Sequence, residues 1–362
     1  MNRVLRARID AAALRHNLRR LRSIAPGSRV MAVVKANAYG HGLVPTALAL
    51  AEADAFAVAR LEEGLQLRSA GVDQPVVLLE GVFSAEQLAE AAHQRFELVV
   101  HDPLQLALLE AHRGVHRFTV WLKVDTGMNR LGFRPEEALG ALNRMRSLGV
   151  PALEIRLLTH LARADELDCA MTAEQVARFE ALLAHCAAGS AVITSIGNSA
   201  GTLGWPQARG HWVRPGIALY GVSPFPDRIG ADLGLQPVMT LETTVIATKR
   251  VLAGETVGYG GAWRAPRETR IAILAAGYGD GVPRHLESGA PVMIGGRALP
   301  LVGRVSMDML AVDVMELPGV EVGAVAQLWG PALPVERVAA RAGTIAYELL
   351  CGVSQRVPLE LI

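Results

Sequence analysis

Aromatic residues are scarce, at 5% of the 362 positions, so Ala, Val and Leu must fill whatever core this chain builds. Cysteine is scarcer still. Cys169, Cys186 and Cys351 are odd in number and widely spaced, with no C-x-x-C pair, which excludes a disulfide framework, a zinc ribbon and a redox dithiol. A reduced, cytoplasmic setting is the expectation. Charge of one sign is missing too: 36 Lys and Arg stand against 35 Asp and Glu, for a formal net charge of +1. Nucleic acid and an anionic membrane are therefore not expected partners, because counterion release needs a basic surface. Small anionic ligands remain open. No apolar run is long enough to span a bilayer. The opening MNRVLRARID carries three arginines with no apolar stretch behind them, so no secretory signal is expected there. Repeats and low-complexity tracts are absent as well.

What is present is a large apolar fraction, 51%, beside 20% charged residues, which is enough to bury a substantial core. At roughly 150 residues per domain the length suits two domains, or one large barrel with an appendage. Short apolar, β-branched runs occur at VMAVV (30–34), AFAVA (55–59), PVVLLE (75–80), ELVV (97–100), FTVWLKV (118–124), LEIRLLT (153–159), AVITSI (191–196) and GIALYG (216–221). Helical patterns such as LEEGLQLRSAG, SAEQLAEAAHQ and TAEQVARFEALLAHC lie between them, and Ser84 with Gln87 and Thr172 with Gln175 fit capping-box spacing at helix starts. Eight strands with helical crossovers suit a (β/α)8 barrel better than an open doubly wound sheet, which stays the alternative. Further on the texture changes to TLETTVIATKRV, TRIAILAAG, APVMI, LPLVGRVS, MLAVDVME and AVAQLWG, strand-like pieces separated by Gly and Pro turns. The expected fold class is α/β: a (β/α)8 TIM-type barrel over 1–232 and a C-terminal mainly β domain over 233–362.

In such a barrel the active site sits at the C-terminal ends of the strands, and here those positions are rich in polar residues. VMAVV is followed by Lys35, Asn37, Tyr39, Gly40 and His41, FTVWLKV by Asp125, Thr126, Gly127 and Arg130, LEIRLLT by His160, and AVITSI by Gly197, Asn198 and Ser199. A lysine directly behind an apolar strand is partly desolvated, which lowers its pKa and frees the amine to attack a carbonyl. On position alone, a snorkelling rim lysine is the commoner occurrence. SIGNSAGTLG suits the presentation of backbone N–H groups and Ser199 to a phosphate, without being a Walker or Rossmann pattern. Lys123 and Asp125 share one face of a strand, so an ion pair between them is the plain expectation if that face is interior. His160 reads as a base, a ligand or a hydrogen-bonded structural residue. Tyr259 and Tyr278 each sit between glycines, where a phenol can cover a backbone or face a substrate, and Met307 with Asp308 says nothing alone. No His, Cys or carboxylate cluster has metal-ligand spacing.

Taken together and in order, AVVKANAYGHG, WLKVDTGMNRLG, THLARADE, GNSA, VRPGI, VGYG, GYGDG, GRVSMDM and YELLCGVSQRVP resemble the fold-type III alanine racemases, which use pyridoxal 5'-phosphate. The likeness spans essentially the whole chain. It implies that Lys35 holds the cofactor and serves as base or acid on the D-alanine face, and that Tyr259 of the partner subunit does so on the L-alanine face. Two bases on opposite faces are what inversion requires, since a single base must cross the plane. Arg214 is implied to face the pyridine nitrogen and, because arginine stays protonated, to leave that nitrogen unprotonated. The phosphate falls to Tyr39, Ser199, the backbone of Gly216 and Ile217, and Tyr347, with Asn198 and His160 in the same cofactor-binding set. Arg130 is implied to bind the substrate carboxylate and the cofactor's phenolic oxygen, and the backbone of Met307 of the partner subunit to complete the carboxylate site. Lys123 is typically carboxylated in this family, which replaces the simple pair with Asp125. Tyr278 and Asp308 are implied to narrow the mouth of a site shared by two chains of a homodimer acting on alanine. Asn129 stands where glycine is frequent, Gly279 where alanine is frequent, and the chain ends RVPLELI instead of the more usual RVPR.

Two rivals are a fold-type III amino-acid decarboxylase and a non-enzymatic pyridoxal phosphate carrier. The first places an acidic residue before Pro-Gly, where this chain has Arg214. The second has no need of a C-terminal β domain with Tyr259 and Met307. A barrel of unknown activity is the bland third reading.

Overall fold

The computed structural model describes residues 4–112, 117–148, 153–186 and 192–362. Strand β1 (Leu5–Ile9) runs into a helix, Ala11–Ile24, whose first free amides are capped when Asp10 Oδ1 accepts from Ala12 N at 2.8 Å and Ala13 N at 2.9 Å. A closed parallel barrel follows: β2 (Arg29–Val33), β3 (Ala55–Val58), β4 (Val76–Leu78), β5 (Glu97–Val100), β6 (Thr119–Lys123), β7 (Glu154–Leu158), β8 (Thr194–Ser195) and β9 (Trp212–Val213), with β9 returning to β2. These strands are buried almost end to end, as parallel strands covered by helices must be. Trp121 and Phe56 are wholly buried, as are the small Ala32, Ala55 and Ala57, so the core is filled mainly by aliphatic side chains.

The barrel differs from the sequence reading at its last strand. GIALYG is not a strand: Ile217–Tyr220 form a 3-10 turn, buried against the Ala11–Ile24 helix, and β9 is the two-residue Trp212–Val213 just upstream. Pro215 lacks the N–H a ladder needs, and the apolar run is buried by packing on a helix, not by pairing. Ala191 of AVITSI lies outside the described residues. Ser84 does cap its helix, its Oγ accepting from Gln87 N at 3.2 Å, while Gln87 Oε1 accepts from Phe83 N at 2.8 Å. Thr172 does not. The helix Ala170–Cys186 begins two residues earlier, and Gln175 instead reaches Ala162 N at 2.9 Å and His160 O at 3.0 Å, tying the helix to a loop at the barrel mouth.

The second sheet is built from both ends of the chain. The long strand β10 (Met239–Val251) pairs with β1 and Val325–Trp329 through its first half and with Thr269–Leu274 through its second, with a register shift between Val245 and Ala247. Thr269–Leu274, Leu310–Asp313, Arg297–Val302, Pro291–Ile294 and Val325–Trp329 follow one another across the sheet, and Leu359–Leu361 adds a parallel strand at the outer edge of β1. Two short helices, Val335–Arg341 and Ala346–Cys351, lean back over the barrel mouth.

Candidate active site

Lys35 follows β2 at the C-terminal end of the barrel, and the backbone after it is unusual. Ala36, Asn37, Ala38 and Tyr39 have φ of 53–54°, four consecutive non-glycine residues in left-handed helical geometry, closed by Gly40 at φ 82°. Each costs about 1–2 kcal/mol for an L-residue, so the surroundings must hold the turn. Glu63 holds its start, one carboxylate oxygen accepting from Ala36 N at 2.7 Å and the other from Ala59 N at 2.8 Å. Tyr39, at its end, is buried, with its ring 4.9 Å from Tyr220 and 6.0 Å from Tyr347. Burial pushes both the Tyr39 and Tyr347 hydroxyls above the usual phenol range, so both are donors at neutral pH.

Lys35 opens into a cavity of about 960 Å³ whose wall also carries Lys123, Arg130, His160, Asn198, Ser199, Arg214, Gly216, Ile217 and Tyr347. Four of these side chains are cationic groups. Lys35 is lowered by burial and by Arg130. Lys123 falls to about 7 through burial and then the Arg214 and Arg130 charges, which leaves a large neutral fraction at physiological pH. The ion pair expected between Lys123 and Asp125 does not form: Asp125 Oδ1 turns to the backbone of its own loop, accepting from Gly127 N and Asn129 N, both at 3.0 Å. Among the described residues, Lys123 has no salt bridge within 4.0 Å. Asn129 adopts φ 56°, a geometry that asparagine tolerates better than most side chains. Two carboxylates on the cavity wall have partners away from the cations, though Glu80 also acts to raise Lys35. Glu80 lies 3.8 Å from Arg60, and Glu336 accepts from Ser223 N and Gly230 N.

Arg214 is enclosed. Its Nη1 donates to Ser195 Oγ at 2.6 Å, and Nη2 to Thr159 O at 2.6 Å and Ile196 O at 3.2 Å, while Nε has no protein partner among the described residues. Burial lowers it to about 10, so it remains a cation. His160 Nδ1 lies 3.4 Å from Nη2, and because a guanidinium only donates, Nδ1 is the acceptor and Nε2 carries the proton. Burial, then the four cations, keep His160 well below the ordinary imidazole range.

Beyond Arg214 the chain wraps a small cradle. Ser199 Oγ accepts from Gly216 N at 2.9 Å and Ala218 N at 3.3 Å, and Asn198 fixes that loop by accepting from Gly201 N at 2.9 Å. A Cβ at Gly216 would come within 2.3 Å of the Tyr39 hydroxyl, so only glycine lets backbone and phenol converge. A phosphate group fits this set. The unengaged Arg214 Nε, the cluster of cations and the lowered Lys35 suit the ring nitrogen, the anionic substituents and the aldehyde of pyridoxal phosphate.

Four of the residues singled out in the sequence do not join this cavity. Tyr259 is 69% exposed and Met307 53%, and neither these nor Tyr278 and Asp308 line the pocket of their own chain. The Tyr278 and Met307 segments meet by backbone contact instead: Tyr278 N donates to Ser306 O at 3.0 Å and Gly279 N to Met307 O at 2.9 Å. Arg356 locks that surface, with Nε to Asp280 and Nη2 to Asp308, both at 2.6 Å. Gly279 lies beneath the guanidinium, where a Cβ would sit 3.0 Å from it. Sequence reasoning passed over Glu63, Tyr220, Asp165, Ile345 and Cys351, which hold the Lys35 turn or line the cavity. The signals were present. Glu63 stands three residues from a helix start, and Cys351 lies in the YELLC run.

A cation-lined cavity at the C-terminal mouth of a closed parallel barrel, with a lysine of lowered pKa inside it, defines a barrel enzyme for a small anionic reactant. The chain belongs to the alanine racemase family. Models of the alanine racemase N-terminal and C-terminal domains match residues 9–224 and 238–361. The biosynthetic alanine racemase of Escherichia coli is 49% identical over 355 residues, 98% of each chain, and an alanine racemase of Nitrosococcus oceani 50% over 350 residues, 97% of each. Among solved structures, a biosynthetic alanine racemase from Pseudomonas aeruginosa superposes with a TM-score of 0.95 at 43% identity, covering 99% of each chain. No helix among the described residues is long and apolar enough to cross a membrane.

Proposed function

We propose that this enzyme interconverts L-alanine and D-alanine in the cytoplasm, with pyridoxal 5'-phosphate as cofactor and with each active site made from one chain's barrel and another chain's C-terminal β domain (233–362). The observation that carries the reading is the company Lys35 keeps: a half-buried amine of lowered pKa among Lys123, Arg130 and Arg214, beside a Ser199–Gly216–Tyr39 cradle. Tyr39, Tyr347, Ser199 and the Gly216 and Ile217 amides would hold the phosphate, with Asn198 fixing their loop. Arg214 Nε would donate to the pyridine nitrogen, with His160 behind it. When bound, the cofactor accepts the negative charge left at Cα by proton removal.

The chain's own residues supply the rest. Lys35 holds or takes the Cα proton on one face, and Tyr259 of the partner subunit does so on the other, so the two hands of alanine exchange without either base crossing the plane. Arg130 orients the substrate carboxylate, and the Met307 backbone of the partner subunit closes that end. A carboxylated Lys123 would turn a neutral amine into an anion facing Arg130. Tyr278 and Asp308 narrow the approach. An acidic residue in place of Arg214 would favour the decarboxylase reading; arginine favours proton exchange.

The test is optical rotation of L-alanine incubated with protein and pyridoxal phosphate in deuterated water, with and without Lys35→Ala. Decay to zero rotation with deuterium at Cα, abolished by the substitution, is expected. A yellow protein that leaves rotation and Cα untouched overturns the assignment.

A further inference from the structure

His41 is wholly buried two residues after the left-handed turn, and the reaction as derived above gives it no part. Its Nδ1 lies 3.0 Å from Ala38 O and 2.9 Å from Tyr39 O. Both are carbonyl acceptors, so Nδ1 must carry the proton and donate to the last two residues of the turn. Nε2 is then a bare acceptor, buried with no hydrogen-bond partner among the described residues. A side chain kept only to fill space would be apolar, because an unpaired buried nitrogen is destabilising. The ring also stacks on Tyr220 at 4.5 Å and 28°. Tyr220 in turn faces Tyr39 at 4.9 Å and donates its hydroxyl to Val33 O at 2.9 Å, on the strand that delivers Lys35. His41 and Tyr220 thus join the backbone before Lys35 to the carbonyls after it.

We propose that His41 is a positioning residue: its Nδ1–H, braced by the Tyr220 ring, holds the strained left-handed turn in the form that sets Lys35 and Tyr39 in the cavity. The inference rests on the reading of Lys35 and Tyr39 given under Proposed function. Glu63 secures the first amide of the turn, and His41 secures its last carbonyls. Without the second, the turn relaxes toward ordinary backbone geometry and carries both side chains away from their places.

Two variants separate this role from packing. His41→Phe keeps a stacked ring and drops the donor; His41→Asn keeps an N–H donor near the same position and drops the ring. Expected for His41→Phe is a thermal midpoint close to that of the parent, at least a tenfold loss in kcat for L-alanine, and at least a tenfold weaker grip on pyridoxal phosphate titrated into the cofactor-free chain. His41→Asn should recover most of both losses. Parent-like kcat and cofactor affinity in His41→Phe would overturn the proposal, as would equal losses in the two variants. Should neither variant fold, ¹⁵N resonances of the unsubstituted, cofactor-free chain decide: a neutral His41 protonated at Nδ1 is required, and protonation at Nε2 contradicts it. Lys35→Ala in the same assay keeps the two claims apart. Racemisation lost in Lys35→Ala but intact in His41→Phe sinks this inference alone, whereas racemisation surviving Lys35→Ala sinks the functional reading and this inference with it.

Discussion

Burial is the largest influence on the protonation of His41, His160 and Lys123. His41 drops to about 4 by burial, despite two carbonyls that pull the other way, and His160 is lowered by burial and by four cations. Both are neutral in the fold, whereas an unfolded histidine protonates below about 6.5. Below that value the unfolded chain binds more protons, so stability is whole above it and is lost as pH falls toward 4. The His41 contribution alone is about 2 kcal/mol between pH 7 and pH 5. Urea unfolding at the two pH values should show at least that loss, and His41→Phe should reduce it by about that amount; an unchanged slope in the variant would contradict the assignment. Lys123 is the counterpart with chemical consequences. An amine with a pKa of about 7 among three other cations is poised to react with carbon dioxide. Chain equilibrated with ¹³C-bicarbonate should give a carbamate carbon resonance that Lys123→Arg removes.

At the scale of elements, the left-handed turn inverts a familiar rule. In an ordinary exposed helix position such as Ala181, replacement by glycine costs about 1 kcal/mol. Ala36 is also exposed but sits at φ 54°, where glycine is at ease. Ala36→Gly should therefore change the unfolding free energy by less than about 0.5 kcal/mol or raise it, since relief of strain offsets the freer unfolded chain. Paired denaturation curves for the two variants check this, and equal losses would argue against the turn. Strands β2 to β7 were legible in the sequence because parallel strands covered on both faces must be continuous apolar runs. Strand β1 was not, because LRARI alternates apolar residues with arginines and reads as a charged tail until its partner in β10 is known. Strand β9 escaped for the opposite reason: two residues beside a buried apolar turn leave the turn looking more like the strand. Ser199 and Lys35 were readable as residues placed after strands, whereas Arg214, whose strand β9 escaped, was picked out through the resemblance of VRPGI. The left-handed turn was not, since KANAY contains no glycine to announce it.

At the scale of the whole molecule, the residues proposed for the reaction divide between a cavity and a surface. Lys35 faces the barrel mouth, whereas Tyr259, Tyr278, Met307 and Met309 are exposed in loops of the C-terminal half, with the Arg356 bridge joining Asp280 and Asp308 beside Tyr278 and Met307. Exposed apolar patches on folded proteins commonly serve as contact surfaces. A two-fold arrangement in which each chain's surface covers the other's cavity would use both at once. Sequence motifs name all of these residues, but no pattern along one chain tells which chain's cavity they serve. The most direct test mixes two inactive variants, Lys35→Ala and Tyr259→Ala, dissociated and reassociated in equal amounts. If sites are shared, half of the dimers are mixed and each has one site with an intact Lys35 facing an intact Tyr259 from the other chain, so racemisation should return to about a quarter of the unsubstituted enzyme's rate. A mixture as inactive as its components, with mixed dimers shown to be present, would contradict the shared site.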